Sequence, residues 1–208
     1  MREESVFIKV NESVVLEGAL AFPKDGCQGQ ALILHPHPLY GGSMNNNVVS
    51  ALNRAALEKG WQTLCFNFRG VERSTGAYDQ GIGEVEDVLA AADWLRVHSD
   101  LGQIWMGYSF GALMAAKAAL KYPHLRGAIW VSPPLELERL PKWPNKNNKL
   151  LVISGDRDEF NQIEELEAYS RSQSASVHLI TLKGVDHFYG GHESALMEHV
   201  KNYLADMP

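Results

Sequence analysis

The sequence predicts an α/β protein built on a mainly parallel, twisted sheet of about seven to eight strands. Helices cover both faces, and an antiparallel strand pair opens the chain. Three observations carry that expectation. From residue 30 onward, short apolar runs alternate with stretches of helical spacing, the pattern of βαβ units. The segment before them instead holds two β-branched runs around a polar turn. Finally, no linker, internal repeat or low-complexity tract interrupts the chain. Residues 1–208 therefore read as a single domain, large enough for a substantial core.

Taken in order, Ser5–Val10 and Val14–Ala21 form the opening pair, with Asn11-Glu12 as their turn. Gln30–His35 is a buried strand, Asn47–Lys59 a helix, Gln62–Asn67 a strand and Glu84–His98 a helix whose Val85, Val88, Leu89, Ala92 and Leu95 share a face. Gln103–Tyr108 is a strand, Ser109–Lys121 an Ala-rich helix and Gly127–Val131 a strand. Lys149–Ser154 and Val177–Leu182 are the last strands, and Gln162–Ser172 and Ser194–Ala205 the last helices. Ser132–Asn148, with four prolines, reads as a surface excursion too short to be a lid domain.

Composition narrows the function classes. The net charge of −6, without a basic patch, excludes the electrostatic footprint of a nucleic-acid binder and argues against an anionic membrane surface. The apolar runs fall short of the roughly 20 residues a membrane span needs. The N-terminus MREESVFIKV lacks the apolar core of a signal peptide, so a cytoplasmic protein is expected, with Cys27 and Cys65 as reduced thiols. Nothing marks an oligomeric interface, and a monomer and a homodimer fit equally.

Gly107-Tyr108-Ser109-Phe110-Gly111 follows one predicted strand and opens a predicted helix. In that context G-x-S-x-G is a nucleophile elbow. The serine occupies a strained turn, and flanking glycines avoid clashes with nearby backbone. The amide of Phe110, at a helix N-terminus, is placed to stabilise an oxyanion. A serine hydroxyl needs a base, itself oriented by an acid, and in this arrangement the chain order is Ser, acid, His. Of the histidines after the last strand, His187 lies in the loop itself, whereas His192 and His199 lie in or near the last helix. Asp158, three residues past Gly155, is the expected acid, with Asp156 as the alternative; Asp186 adjoins His187 and is expected to stabilise its loop.

These residues resemble the α/β-hydrolase superfamily over essentially the whole chain. The likeness extends to small, lidless bacterial serine hydrolases of the dienelactone-hydrolase or carboxylesterase type. It rests on His35-Pro36-His37-Pro38-Leu39-Tyr40-Gly41-Gly42-Ser43-Met44-Asn45-Asn46, on Asn67-Phe68-Arg69-Gly70-Val71-Glu72-Arg73-Ser74, and on the elbow and the two later loops. The resemblance implies a Ser109, Asp158 and His187 triad, no cofactor, and hydrolysis of a small ester-like substrate through an acyl-enzyme. Thioester or amide cleavage, or a non-catalytic binding role, are the rival readings. In two places the chain departs from the pattern. Glu72 stands where many members carry glycine, and true dienelactone hydrolases use cysteine rather than serine as nucleophile.

His35 and His37 first suggest a metal-binding pair, but the stretch to Asn47 holds no Asp, Glu or third His, so no metal is expected. The loop instead supplies the second oxyanion donor. Pro36 and Pro38 have no N–H, which leaves Leu39 favoured, with Tyr40 and His37 as alternatives. Tyr40, Arg69 and Phe188 are expected at the substrate pocket. There Arg69 either attracts a carboxylate or ties loops together.

Overall fold

The computed structural model describes residues 2–144, 148–173 and 177–207. Eight strands form one sheet: β1 (Arg2–Lys9), β2 (Val15–Phe22), β3 (Gly29–Leu34), β4 (Trp61–Phe66), β5 (Gln103–Tyr108), β6 (Leu125–Val131), β7 (Lys149–Gly155) and β8 (Val177–Leu182). Their spatial order is β1-β2-β4-β3-β5-β6-β7-β8. β2 pairs antiparallel with β1 and β4, and every other neighbouring pair is parallel. The helices are α1 (Asn47–Glu58), α2 (Gly83–His98), α3 (Phe110–Ala119), α4 (Ile163–Ser172) and α5 (Glu193–Ala205). The sheet is thus the one expected, and no lid-like extra domain is inserted among the described residues.

Alternation along the strands builds two cores. Leu32 and Leu34 of β3 and Trp105 of β5 join α2 and α3 on one face. Ala31 and Ile33 of β3 and Ile104 and Met106 of β5 join α1 and α5 on the other. Burying an aliphatic side chain of this size contributes roughly 1.5–3 kcal/mol. Local signals set the ends of elements. Asn11 Oδ1 accepts from the amides of Ser13 and Val14, closing the turn after β1. Asn46 caps α1 by accepting from the amides of Val48 and Val49.

The described part of the excursion after β6 is tied to its neighbours. The amide of Leu135 donates to Asn161 Oδ1, and Trp143 packs edge-on against Trp130 at 5.6 Å. Tyr169 of α4 donates its hydroxyl to Pro141 O at 2.9 Å. Residues 145–147 of this segment lie outside those described. Glu72 adopts a φ of 49°, the left-handed region that glycine occupies without cost, so its loop keeps the shape a glycine would give.

Candidate active site

Parallel strands deliver their following loops to one edge, and the site assembles there. The loop 35–46 leaves β3, Ser109 follows β5, Asp158 lies beyond β7 and His187 beyond β8. Ser109, expected as the first residue of the helix, stands outside it: its φ of 53° and ψ of −120° are not helical, and α3 begins at Phe110. The flanking glycines have a steric reason. A Cβ on Gly107 would lie 2.5 Å from the backbone of Ala112. One on Gly111 would lie 2.5 Å from Leu34 O and 2.6 Å from His35 O. The elbow folds only because neither carries a side chain.

Ser109 Oγ lies 3.0 Å from His187 Nε2, and His187 Nδ1 lies 2.9 and 3.0 Å from the two oxygens of Asp158. A carboxylate can only accept, so Nδ1 carries the proton and Nε2 is free to take one from the serine. Asp158 also accepts from Ser154 Oγ at 3.2 Å, Phe160 N at 3.0 Å and Asn161 Nδ2 at 3.2 Å. Burial works against its charge, but the His187 contact, with help from Ser132 and the Phe160 amide, holds its carboxyl below the usual range. Tyr108 donates its hydroxyl to His187 O at 2.7 Å, fixing the histidine loop from beneath.

The alternative carboxylates serve the loops. Asp156 is exposed and accepts from Gly184 N at 2.6 Å. Asp186 accepts from Phe188 N and Tyr189 N, closing the turn just after His187.

Within the loop 35–46, His35 is fully buried with both ring nitrogens engaged. Nδ1–H donates to Pro36 O at 2.6 Å, and Nε2 accepts from Phe68 N at 3.0 Å. That leaves no lone pair for a metal. Burial pushes its pKa down to about 4, opposed by the Pro36 bond, so it is neutral near pH 7. Leu39, favoured from sequence as the oxyanion donor, does not fit that role. Its amide donates to His37 Nδ1 at 3.2 Å, and its side chain is 66% exposed. The amide of Tyr40 donates to His37 O at 3.1 Å, as does that of Gly42. The amides of His37 and Phe110 have no acceptor among the described residues.

Arg69 is also corrected as a pocket residue. Its guanidinium is buried against Asp87, with contacts of 2.7 to 3.1 Å, and also meets Glu86 at 3.4 Å. Its backbone amide bonds the same Asp87. A buried arginine paired in this way ties the loop after β4 to α2 and leaves nothing for a substrate carboxylate. Tyr40 and Phe188, by contrast, flank the site, exposed by 85% and 63%. Tyr40 packs on His37 at 4.7 Å and Phe188 on His187 at 5.7 Å.

Two further aromatic residues, not expected from the sequence, stand against the site's histidines. Phe160 lies 4.6 Å from the His187 ring, and Tyr78 lies 5.0 Å from His37. Phe160 was findable, two residues past Asp158; Tyr78 carries no local signal. A cavity of about 910 Å³, lined in part by Lys24, Arg54, Glu58 and Lys59, opens at the opposite end of the sheet, where β4 begins.

Residues 32–140 match the family model described as alpha/beta hydrolase fold. An uncharacterised protein of Rickettsia prowazekii is 32% identical over 187 residues, covering 84% of this chain and 77% of that one. Among solved structures, an alpha-beta serine hydrolase homologue from Coxiella burnetii is 35% identical, with a TM-score of 0.90 over 98% of each chain. An α/β serine hydrolase without a lid from Xanthomonas campestris is 26% identical, with a TM-score of 0.89 over 99% of this chain and 94% of that one. A putative alpha/beta hydrolase from Agrobacterium tumefaciens is 31% identical, with a TM-score of 0.87 over 97% and 95%. The strand order, the elbow and these likenesses together make this chain a member of the alpha/beta hydrolase family.

Proposed function

We propose that the chain is a serine hydrolase of small, uncharged ester-type substrates, acting through Ser109, His187 and Asp158. The observation that carries the reading is the continuous line from Ser109 Oγ to His187 Nε2 to Asp158, with contacts of 3.0 and 2.9 Å. His187 removes the serine proton as Oγ attacks the carbonyl carbon. Asp158 holds the imidazole tautomer and offsets the charge of the imidazolium. The tetrahedral oxyanion is met by the backbone amides of Phe110 and His37. His187 then protonates the leaving alcohol, and a water molecule, deprotonated by His187, hydrolyses the acyl-enzyme.

Aromatic walls on both sides of Ser109, with Arg69 already consumed by Asp87, favour an apolar acyl or alcohol group over a charged one. Purified protein is expected to hydrolyse p-nitrophenyl acetate, and a fluorophosphonate probe to label Ser109. The Ser109→Ala variant should retain its fold and lose activity by at least about 10⁴-fold. A wild-type protein that resists the probe, or an active Ser109→Ala variant, would overturn the reading. Profiling p-nitrophenyl esters, thioesters and amides of increasing chain length separates the members of this substrate class.

A further inference from the structure

Building on the serine-hydrolase reading, we propose that the His37 side chain is a positioning residue. Its imidazole withdraws the Leu39 amide while its carbonyl holds those of Tyr40 and Gly42, which leaves its own backbone N–H for the oxyanion. Three donors in this short loop converge on this one residue. Leu39 N–H is taken by the imidazole Nδ1, and Tyr40 N–H and Gly42 N–H by the carbonyl. Pro36 and Pro38 have none to offer. Gly42 is needed for this closure: a Cβ there would lie 2.2 Å from Pro36 O and 2.7 Å from His37 O.

The ring is itself clamped. Tyr40, Tyr78 and Phe110 stand 4.7, 5.0 and 4.8 Å from it. The side chains of the two residues whose amides stabilise the oxyanion, His37 and Phe110, thus rest on each other, and displacing one ring moves the other donor. The segment just after Tyr78 is held in turn by Glu84, whose carboxylate accepts from Asp79 N and Gly81 N at 2.8 Å each.

The contact has a protonation requirement. Nδ1 accepts from Leu39 only when it carries no proton. The ionisable groups that bear on His37 are Glu84 of α2, His35 and Tyr40 of its own loop and Tyr78 of the preceding loop; Phe110 of α3 is uncharged. Desolvation lowers the His37 pKa from its ordinary value, against the field of Glu84. The loop therefore stays organised below the usual histidine range and opens on further acidification.

Three variants separate positioning from bulk packing. His37→Phe keeps a ring and loses the acceptor, and His37→Ala loses both. His37→Asn restores an acceptor oxygen near the Nδ1 position. We expect His37→Phe and His37→Ala to lower kcat about 10- to 100-fold with little change in KM, since a donor moved by about 1 Å costs that much. His37→Asn should recover at least tenfold of the His37→Ala loss.

Protonation of His37 Nδ1 breaks the Leu39 contact, so the wild-type rate should fall more steeply with acid than that of His37→Asn, whose acceptor does not titrate. Parallel acid limbs in these two proteins, or equal kcat in His37→Phe and His37→Asn, overturn the proposal. Should His37→Phe or His37→Ala not fold, the comparison of wild type with His37→Asn decides. Fluorophosphonate labelling of Ser109 in the wild type tells the two failures apart: without labelling, the serine-hydrolase reading falls as well.

Discussion

At Ser109 a positive φ is imposed on a residue with a side chain, a conformation that costs on the order of 1–3 kcal/mol and persists only where the surroundings enforce it. The enforcement is steric and belongs to Gly107 and Gly111. Gly111→Ala drives a methyl group against Leu34 O and His35 O at about 2.5 Å, so α3 must move away from β3. The expected outcome is a loss of about 1–3 kcal/mol in a urea melt together with slower fluorophosphonate labelling of Ser109. Asp158 governs the tautomer of His187 and, by accepting from Ser154, Phe160 and Asn161, also holds its own loop. Asp158→Asn should therefore lower the melting temperature while kcat falls by about 10⁴-fold, as a steady-state assay would read.

At the scale of elements, the loop between β4 and α2 is the least regular part of the site's surroundings and the most heavily anchored. Arg69 and Asp87 are both buried, so removing one leaves the other charge unpaired. Arg69→Met should cost about 3–5 kcal/mol by chemical denaturation, more than any exposed ion pair in the molecule. The same loop carries Glu72 at a φ of 49°, exposed and without a packing role. Glu72→Gly relieves that strain and should raise stability by up to about 1 kcal/mol, seen as a higher Tm; a lower Tm would show that the loop gains nothing from glycine.

Strands and helices here were legible because each carries its own periodicity. α1 can be read off the chain, and so can the strand–serine–helix junction. The partners of Arg69 could not. Asp87 lies 18 residues away on a helix whose apolar face was visible, but which polar residue turns inward is set by packing.

At the scale of the molecule, the sheet couples acid stability to a residue that first looked like a metal ligand. His35 is neutral in the fold with a pKa lowered to about 4, against 6.5 for an unperturbed histidine. Between those values the unfolded chain binds the extra proton and the folded one does not. Stability from this residue is therefore complete above about pH 6.5 and falls by roughly 1.4 kcal/mol per pH unit toward pH 4. Urea midpoints measured across that interval should drop steadily, and His35→Asn should flatten the dependence. No described helix is long and apolar enough to cross a membrane. Among the described residues no lid-like domain covers Ser109, and aromatic residues of the loops after β3, β7 and β8 pack on His37 and His187.

The chain alone determined the α/β class, the order of strands and helices, the elbow serine and the two loops in which its partners had to be sought. Each of these depends on residues close together in sequence: alternation, helical spacing, or glycines either side of a serine. Tertiary structure decided what depends on contacts between distant segments. Asp158 rather than Asp156 meets His187 because the loop after β7 curls back across the end of β8. Arg69 turns away from the cleft because Asp87 is waiting behind it. Leu39 does not present its amide, because His37 two residues earlier accepts it, and that rotation of the loop is set by rings from α3 and from the segment before α2. Hydrogen-bond direction at a loop is a balance among competing acceptors, and only the folded chain brings those acceptors together.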